Sequence, residues 1–156
     1  MVLALISNIY IVLITEKMNR EHSIAAVLVN GDQFLLLKYG LGHWGLVKGN
    51  QEEGETDEQT ILRELMEETG ISESRFIKGF KEEFSYHYKF KGKTIFKTVI
   101  CYLIITKIKE VILSYEHTDY QWLSYDKAIK KATFDGPKMM IKKAKNFMSG
   151  NLDAFL

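Results

Sequence analysis

The chain has 156 residues, the size of a single domain, and its 46% hydrophobic and 26% charged content excludes a disordered or fibrous protein. One cysteine, Cys101, excludes a disulfide-stapled fold and suits a reducing compartment, so a cytoplasmic protein is expected. Net charge is +1, yet residues 52–68 hold eight acids and one base, leaving 20 basic against 12 acidic residues elsewhere. An acidic segment in a basic frame suits a divalent cation beside a polyanion, and equally a solvated acidic helix.

Val2–Ile14 is largely apolar but shorter than the roughly 20 residues that span a bilayer. No basic residue precedes it and no small-residue cleavage pattern follows, so neither a signal peptide nor membrane association is expected. Met18 stands as a second plausible start. Residues 1–17 are expected to be an extra edge strand or an upstream extension absent from the natural product, with one domain over 18–156.

Ser23–Val29 is apolar and rich in β-branched residues, Asn30-Gly31-Asp32 marks a turn, and Gln33–Tyr39 returns, which predicts a β-hairpin. Gly40, Gly42, Gly45, Gly49 and Gly54 then punctuate a loop. Thr56–Thr69 is the clearest helix, with Thr56 as N-cap, Gln59 completing a capping box and Gly70 as the stop. Phe76–Phe90 and Thr94–Thr106 are strands joined across Lys91-Gly92-Lys93, and Tyr120–Leu123 is a shorter strand. Ser124–Phe134 reads as a helix, Gly136-Pro137 as an interruption, and Lys138–Met148 as a basic amphipathic helix. The long hairpin among alternating strands and helices predicts an α+β protein with a mixed sheet.

On a helical wheel Ile61, Leu65, Leu62 and Met66 fall at roughly 0–140° of the Thr56–Thr69 helix and Glu67, Glu64 and Glu68 at roughly 240–340°, so one arc can pack on a sheet while three carboxylates project together. Like charges at these spacings repel by a few tenths of a kcal/mol per pair, a cost that cations would remove. Oxygen ligands in this number select Mg2+, or Mn2+, over zinc.

Gly49, then Glu55, then Arg63-Glu64-Leu65-Met66-Glu67-Glu68-Thr69-Gly70-Ile71 resembles the Nudix box without gap or mismatch. At roughly 5–7% per residue type, a chance match is on the order of one in a billion per starting position, which sets aside the solvated-helix reading. The resemblance implies a mixed β-sheet sandwiched between helices and metal-dependent cleavage of a phosphoanhydride. It further implies that Glu64, Glu67, Glu68 and the Gly49 carbonyl bind metal, that Arg63 orients a carboxylate, and that Glu55 holds the loop-to-helix joint. Glu64 or Glu67, ahead of Glu116, would be the base.

Outside the helix of the box, Gly42-His43-Trp44, Lys48-Gly49, Gly79-Phe80-Lys81, Glu83-Phe84-Ser85-Tyr86, Lys97-Thr98-Val99, Ser114-Tyr115-Glu116-His117 and Tyr120-Gln121-Trp122-Leu123 resemble the asymmetrical diadenosine-tetraphosphate hydrolases. Carried over, His43, Lys48 and Lys81 would contact the phosphate chain and Glu116 would add a metal carboxylate. Tyr86 and Tyr120 would sandwich an adenine, with Phe134 and Lys138 bordering that pocket. His22, His87 and His117 receive no role. Leu46-Val47 precedes Lys48-Gly49 where many relatives carry proline, leaving that loop less determined. The expected substrate is diadenosine tetraphosphate, cut to ATP and AMP. The alternatives are an RNA 5′ end guided by Lys138, Lys142, Lys143 and Lys145, smaller nucleotides such as oxidised dGTP or ADP-ribose, and a non-catalytic nucleotide-binding module.

Overall fold

The structure, a computed structural model, describes residues 19–151; the expectation for residues 1–17 lies outside the described residues. Its frame is a seven-stranded mixed sheet, built around β1 (Asn19–Asn30). Strand β6 (Lys93–Ile105) runs parallel to β1 along its length and carries β5 (Arg75–Phe90) antiparallel on its far side. The other edge of β1 is shared by β4 (Val47–Asn50) and β2 (Gln33–Tyr39), and β2 in turn carries β3 (Trp44–Gly45) and β7 (His117–Ser124).

A central parallel pair is covered on both faces, which explains the unbroken apolar run of β1. Ile24, Ala26 and Leu28 point to one face, with Leu35, Leu37 and Val47, and pack on Ile61 and Leu65 of helix α1 (Asp57–Thr69). Ala25, Val27 and Val29 point to the other, with Phe34 and Leu36. That face is covered by Ala128 of α2 (Tyr125–Lys131) and by Met140, Ile141 and Ala144 of α3 (Asp135–Gly150). The sheet is thus sandwiched between helices, as expected. None of the described helices is long and apolar enough to cross a membrane.

Helix α1 begins and ends where its caps dictate. Thr56 Oγ1 accepts the Gln59 N–H at 3.2 Å and the Gln59 side chain accepts the Thr56 N–H at 2.9 Å. Gly70 adopts φ 70°, the left-handed conformation that closes a helix without a Cβ penalty, and donates to Met66 O at 2.9 Å.

Three local expectations differ. The glycine loop contains β3 and β4, whose backbones are satisfied by β2 and β1. Helix α2 stops at Lys131 instead of Phe134, because Thr133 is claimed by β3: its N–H reaches Trp44 O at 3.1 Å and its Oγ1 accepts the Trp44 N–H at 2.8 Å. Gly136-Pro137 does not interrupt a helix but lies in the first turn of α3, where a missing N–H costs nothing.

Candidate active site

The joint between β4 and α1 is built on one ion cluster. Glu55 accepts the Arg63 guanidinium through both oxygens, at 2.7 and 2.9 Å, and also the Thr60 hydroxyl at 2.8 Å and the Glu52 N–H at 3.1 Å. These bonds, Arg63's first, hold the Glu55 carboxyl down at about 2. The same guanidinium donates to Asn50 O at 3.1 Å and, through Nη1, to Glu64 at 2.7 Å and Glu67 at 3.4 Å. Arg63 therefore ties strand, turn and helix together and fixes the Glu64 carboxylate against β4. The approach is so close that a Cβ on Gly49 would overlap the Glu64 carboxyl group. Glycine is required there by proximity, not by φ.

One turn further along α1, Glu68 is 3% exposed. Its Oε2 accepts the Lys48 N–H at 3.2 Å and its Oε1 lies 3.8 Å from His117 Nε2. Burial first, and the charge of Glu64 second, push the Glu68 carboxyl up to about 8. Burial raises Glu64 as well, against the pull of Arg63. Glu116, exposed at the entry to β7, is near enough for its charge to raise both, and its carbonyl accepts the Gly40 N–H at 3.0 Å. Glu67 is 57% exposed at the side-chain level and turns to Arg63.

Among the described residues no three His, Cys, Asp or Glu side chains are gathered closely enough to hold a metal ion, and Glu64 and Glu67 both face Arg63 Nη1. The donor set nonetheless fits a hard divalent cation. It offers a buried carboxyl, Glu68, raised by burial and by the charge of Glu64, a second raised carboxyl, Glu64, and a strand with no side chain at Gly49 to block approach.

Beside this cluster opens a cavity of about 580 Å3, within the range of nucleotide-sized ligand sites. His43, Lys48, Tyr86 and Phe134 line it, as do Tyr39, Phe84 and Tyr88. The His43 ring stacks on Tyr39 at 4.5 Å and 9° and tilts against Phe134 at 5.4 Å. Phe84 and Tyr86 stack at 6.2 Å and 18°, and the first turn of α3 lies so close that a Cβ on Gly136 would overlap the Phe84 ring. Burial, with Lys48 second, lowers His43, and burial lowers Lys48 itself.

Three expected members lie elsewhere. Tyr120 is paired with Leu37 and packs with Leu35 and Leu37 on the α1 face of the sheet, so it does not face Tyr86 across the cavity. Lys81 projects beside the start of α1, 3.2 Å from Asp57 and over the Tyr102 ring at 5.5 Å, away from the cavity lining. Lys138 sits in the first turn of α3 without lining the cavity.

Other residues near the cluster received no role from the sequence. Lys97 is 8% exposed and donates to Asn50 Oδ1 at 3.0 Å and Glu21 at 3.2 Å, and Tyr88 donates to the same Glu21 oxygen at 2.7 Å. Its signal was available: Lys97 is in phase with Ile95, Val99 and Cys101, so it places a charge in an inward-facing column of β6. Tyr39 gave none beyond an ordinary strand aromatic.

Comparison with known proteins agrees with this geometry. Residues 19–142 match the NUDIX domain family. The asymmetrical bis(5′-nucleosyl)-tetraphosphatase of Rattus norvegicus is 38% identical over 135 residues, covering 83% of this chain and 89% of the relative. The Sus scrofa protein of the same name is 40% identical over 122 residues, covering 74% and 80%. Among solved structures, a C. elegans Ap4A hydrolase binary complex superposes with a TM-score of 0.73 at 28% identity, covering 83% of this chain and 98% of the other. With the box residues assembled on one helix and strand, and the family match spanning all but the ends of the chain, the protein belongs to the Nudix hydrolase family.

Proposed function

We propose that the protein hydrolyses diadenosine tetraphosphate asymmetrically, releasing ATP and AMP. One observation carries the reading. Lys48 lines the aromatic cavity, its ammonium 5.2 Å from the centre of the Tyr39 ring, and its backbone N–H reaches the Glu68 carboxyl, so a base in the cavity leads its phosphates onto the carboxylate cluster. The relatives of that activity at 38–40% identity support the same substrate.

Glu64, Glu67, Glu68, the Gly49 carbonyl and Glu116 would hold Mg2+, with Mn2+ an alternative. When bound, the metal would offset charge on the bridging phosphates and acidify the attacking water. Lys48 and His43 steady the phosphate chain, and the ammonium is a point charge that tolerates the movement of charge as the bond breaks. Glu64 or Glu67 takes the proton from water, and burial raises the Glu64 carboxyl in the direction a base requires. Arg63, bound to Glu55, orients the Glu64 carboxylate and touches no substrate. Tyr86 and Phe134, which both line the cavity, replace the expected Tyr86–Tyr120 pair as the rings that clasp a base. A reducing compartment such as the cytoplasm suits a chain whose one cysteine is a buried free thiol.

The test is a panel of dinucleoside polyphosphates, triphosphorylated RNA, ADP-ribose and oxidised dGTP with Mg2+, products being resolved by chromatography. ATP and AMP released fastest from the dinucleotide are expected. Slow turnover of the dinucleotide beside fast turnover of any other substrate overturns the assignment.

A further inference from the structure

His117, the first residue of β7, is a group to which the chemistry above gives no part. Its side chain is wholly buried, and its Nε2 is the buried side-chain atom that lacks a hydrogen-bond partner among the described residues. The ring is nevertheless fixed. Ser114 Oγ lies 3.1 Å from Nδ1, the Tyr39 ring meets the imidazole edge-on at 4.4 Å and 67°, and the His117 N–H reaches back to Ser114 O at 3.2 Å. So held, Nε2 lies 3.8 Å from Glu68 Oε1, while the other Glu68 oxygen is taken by the Lys48 N–H.

The two ring nitrogens are not equivalent in this setting. In the form that would bind a cation Glu68 is ionised and only accepts hydrogen bonds, so a bare Nε2 lone pair facing it would be repelled. A serine hydroxyl serves either way, and by donating to Nδ1 it leaves the proton on Nε2, where the carboxylate can use it. A 3.8 Å gap becomes a hydrogen bond once the carboxylate shifts by under about 1 Å.

We infer that His117 is a positioning residue for Glu68: Ser114 sets its tautomer, and its Nε2–H holds one Glu68 oxygen so that the carboxylate is presented to a divalent cation in a single orientation. The inference rests on the metal-dependent reading proposed above. Groups that orient a metal-binding side chain contribute about 10–100-fold to metal affinity.

The test is Mn2+ binding to the full chain without nucleotide, by titration calorimetry or by the spin-resonance signal of free Mn2+. His117→Phe keeps a ring against Tyr39 but has no donor, and it is expected to weaken Mn2+ binding about 10–100-fold. His117→Gln, which restores a donor, is expected to return to within a few-fold of the parent, and Ser114→Ala to lie between. Thermal unfolding of each variant reports packing separately. In the assay, His117→Phe should need more Mg2+ for half-maximal rate, with an unchanged KM for nucleotide at saturating metal. A parent chain that binds Mn2+ while His117→Phe binds it equally well, or His117→Gln as weakly as His117→Phe, overturns the role of His117 alone. A parent chain that binds no Mn2+ overturns the metal-dependent reading itself.

Discussion

Gly49→Ala puts the joint between β4 and α1 under direct test. An added methyl would overlap the Glu64 carboxyl group, and something must retreat. The strand cannot retreat easily, since Gly49 is paired to Ile24 in the fully buried part of β1. The carboxylate is the movable partner, and it must swing away by roughly 1 Å or more, a misplacement that costs about 10²-fold at a reacting centre. Swinging also strains its 2.7 Å bond to Arg63. Overpacking by one methyl costs about 1–3 kcal/mol, which in a chain of this size lowers Tm by a few degrees and leaves it folded at 25 °C. Gly49→Ala is therefore expected to lose at least about 10² in kcat/KM with a modest fall in Tm. The double variant with Glu64→Ala separates the causes, because removing the carboxylate removes the clash. Stability measured by urea unfolding should be less than additive, Gly49→Ala costing little once Glu64 is gone. Additive stability losses, or near-normal turnover by Gly49→Ala, would refute the reasoning.

The raised Glu68 carboxyl predicts a pH signature in the metal-free protein. Between about 4.5 and 8 the folded state holds a proton that the unfolded chain releases, so this contribution is complete below about 4.5 and is lost as pH rises through 8. Tm should fall from pH 6 to pH 9 without metal, Glu68→Gln should flatten that fall, and Mg2+ or Mn2+ should raise Tm more at pH 9 than at pH 6. Glu55 acts in the opposite sense: held at about 2, it stabilises above the ordinary carboxylate range and is lost as pH falls toward 2, so Glu55→Gln should soften the acid limb of the same Tm profile. Phe134→Ala should raise KM for a dinucleotide by about 5- to 150-fold, the equivalent of ~1–3 kcal/mol of base stacking, with little change in Tm because the ring is 57% exposed. Tyr120→Ala should do the reverse, lowering Tm with KM nearly unchanged, and steady-state kinetics beside thermal unfolding of the pair decides between them.

How much of this was legible in the sequence depended on how far apart the interacting residues stand. Helix α1 could be bounded to within a residue because its signals are local: Thr56 and Gln59 are three apart, and Gly70 follows the last turn. The convergence of Glu64 and Glu68, with Glu68 on the buried flank beside Ile61 and Leu65, likewise follows from 3.6 residues per turn, whereas Leu62 and Met66 on the expected packing arc are exposed. Strand β2 and its turn were legible for the same reason. Strands β3 and β4 were not, because two to four residues carry no readable period, and their pairing with β2 and β1 is set by the remainder of the sheet. Helix α2 was overextended because the residue that ends it, Thr133, is bound by Trp44 from 89 positions away.

Tyr120 lies away from the cavity lining for a reason of the same kind, and it shows what kind of inference carries a site. Alternation tells which strand residues share a face, but not which face that is until a neighbour is known. Lys97 could have been given a role, since its column of Ile95, Val99 and Cys101 is visibly inward and a lysine there demands a partner. The brief strand around Tyr120 contains Trp122 on one face and Leu123 on the other, so its two faces look alike in sequence. Pairing with β2 breaks the tie: opposite Leu37, the tyrosine must share the α1 side, while Phe134, arriving from an extended segment between two helices, reaches the cavity. His117 is the sharper case, because nothing within its own segment distinguishes it from a surface histidine. Only the antiparallel pairing of β7 on β2, with its register shift at Tyr39, sets the imidazole beside a carboxylate 49 positions earlier. A residue whose role is to aim another is legible only through the residue it aims.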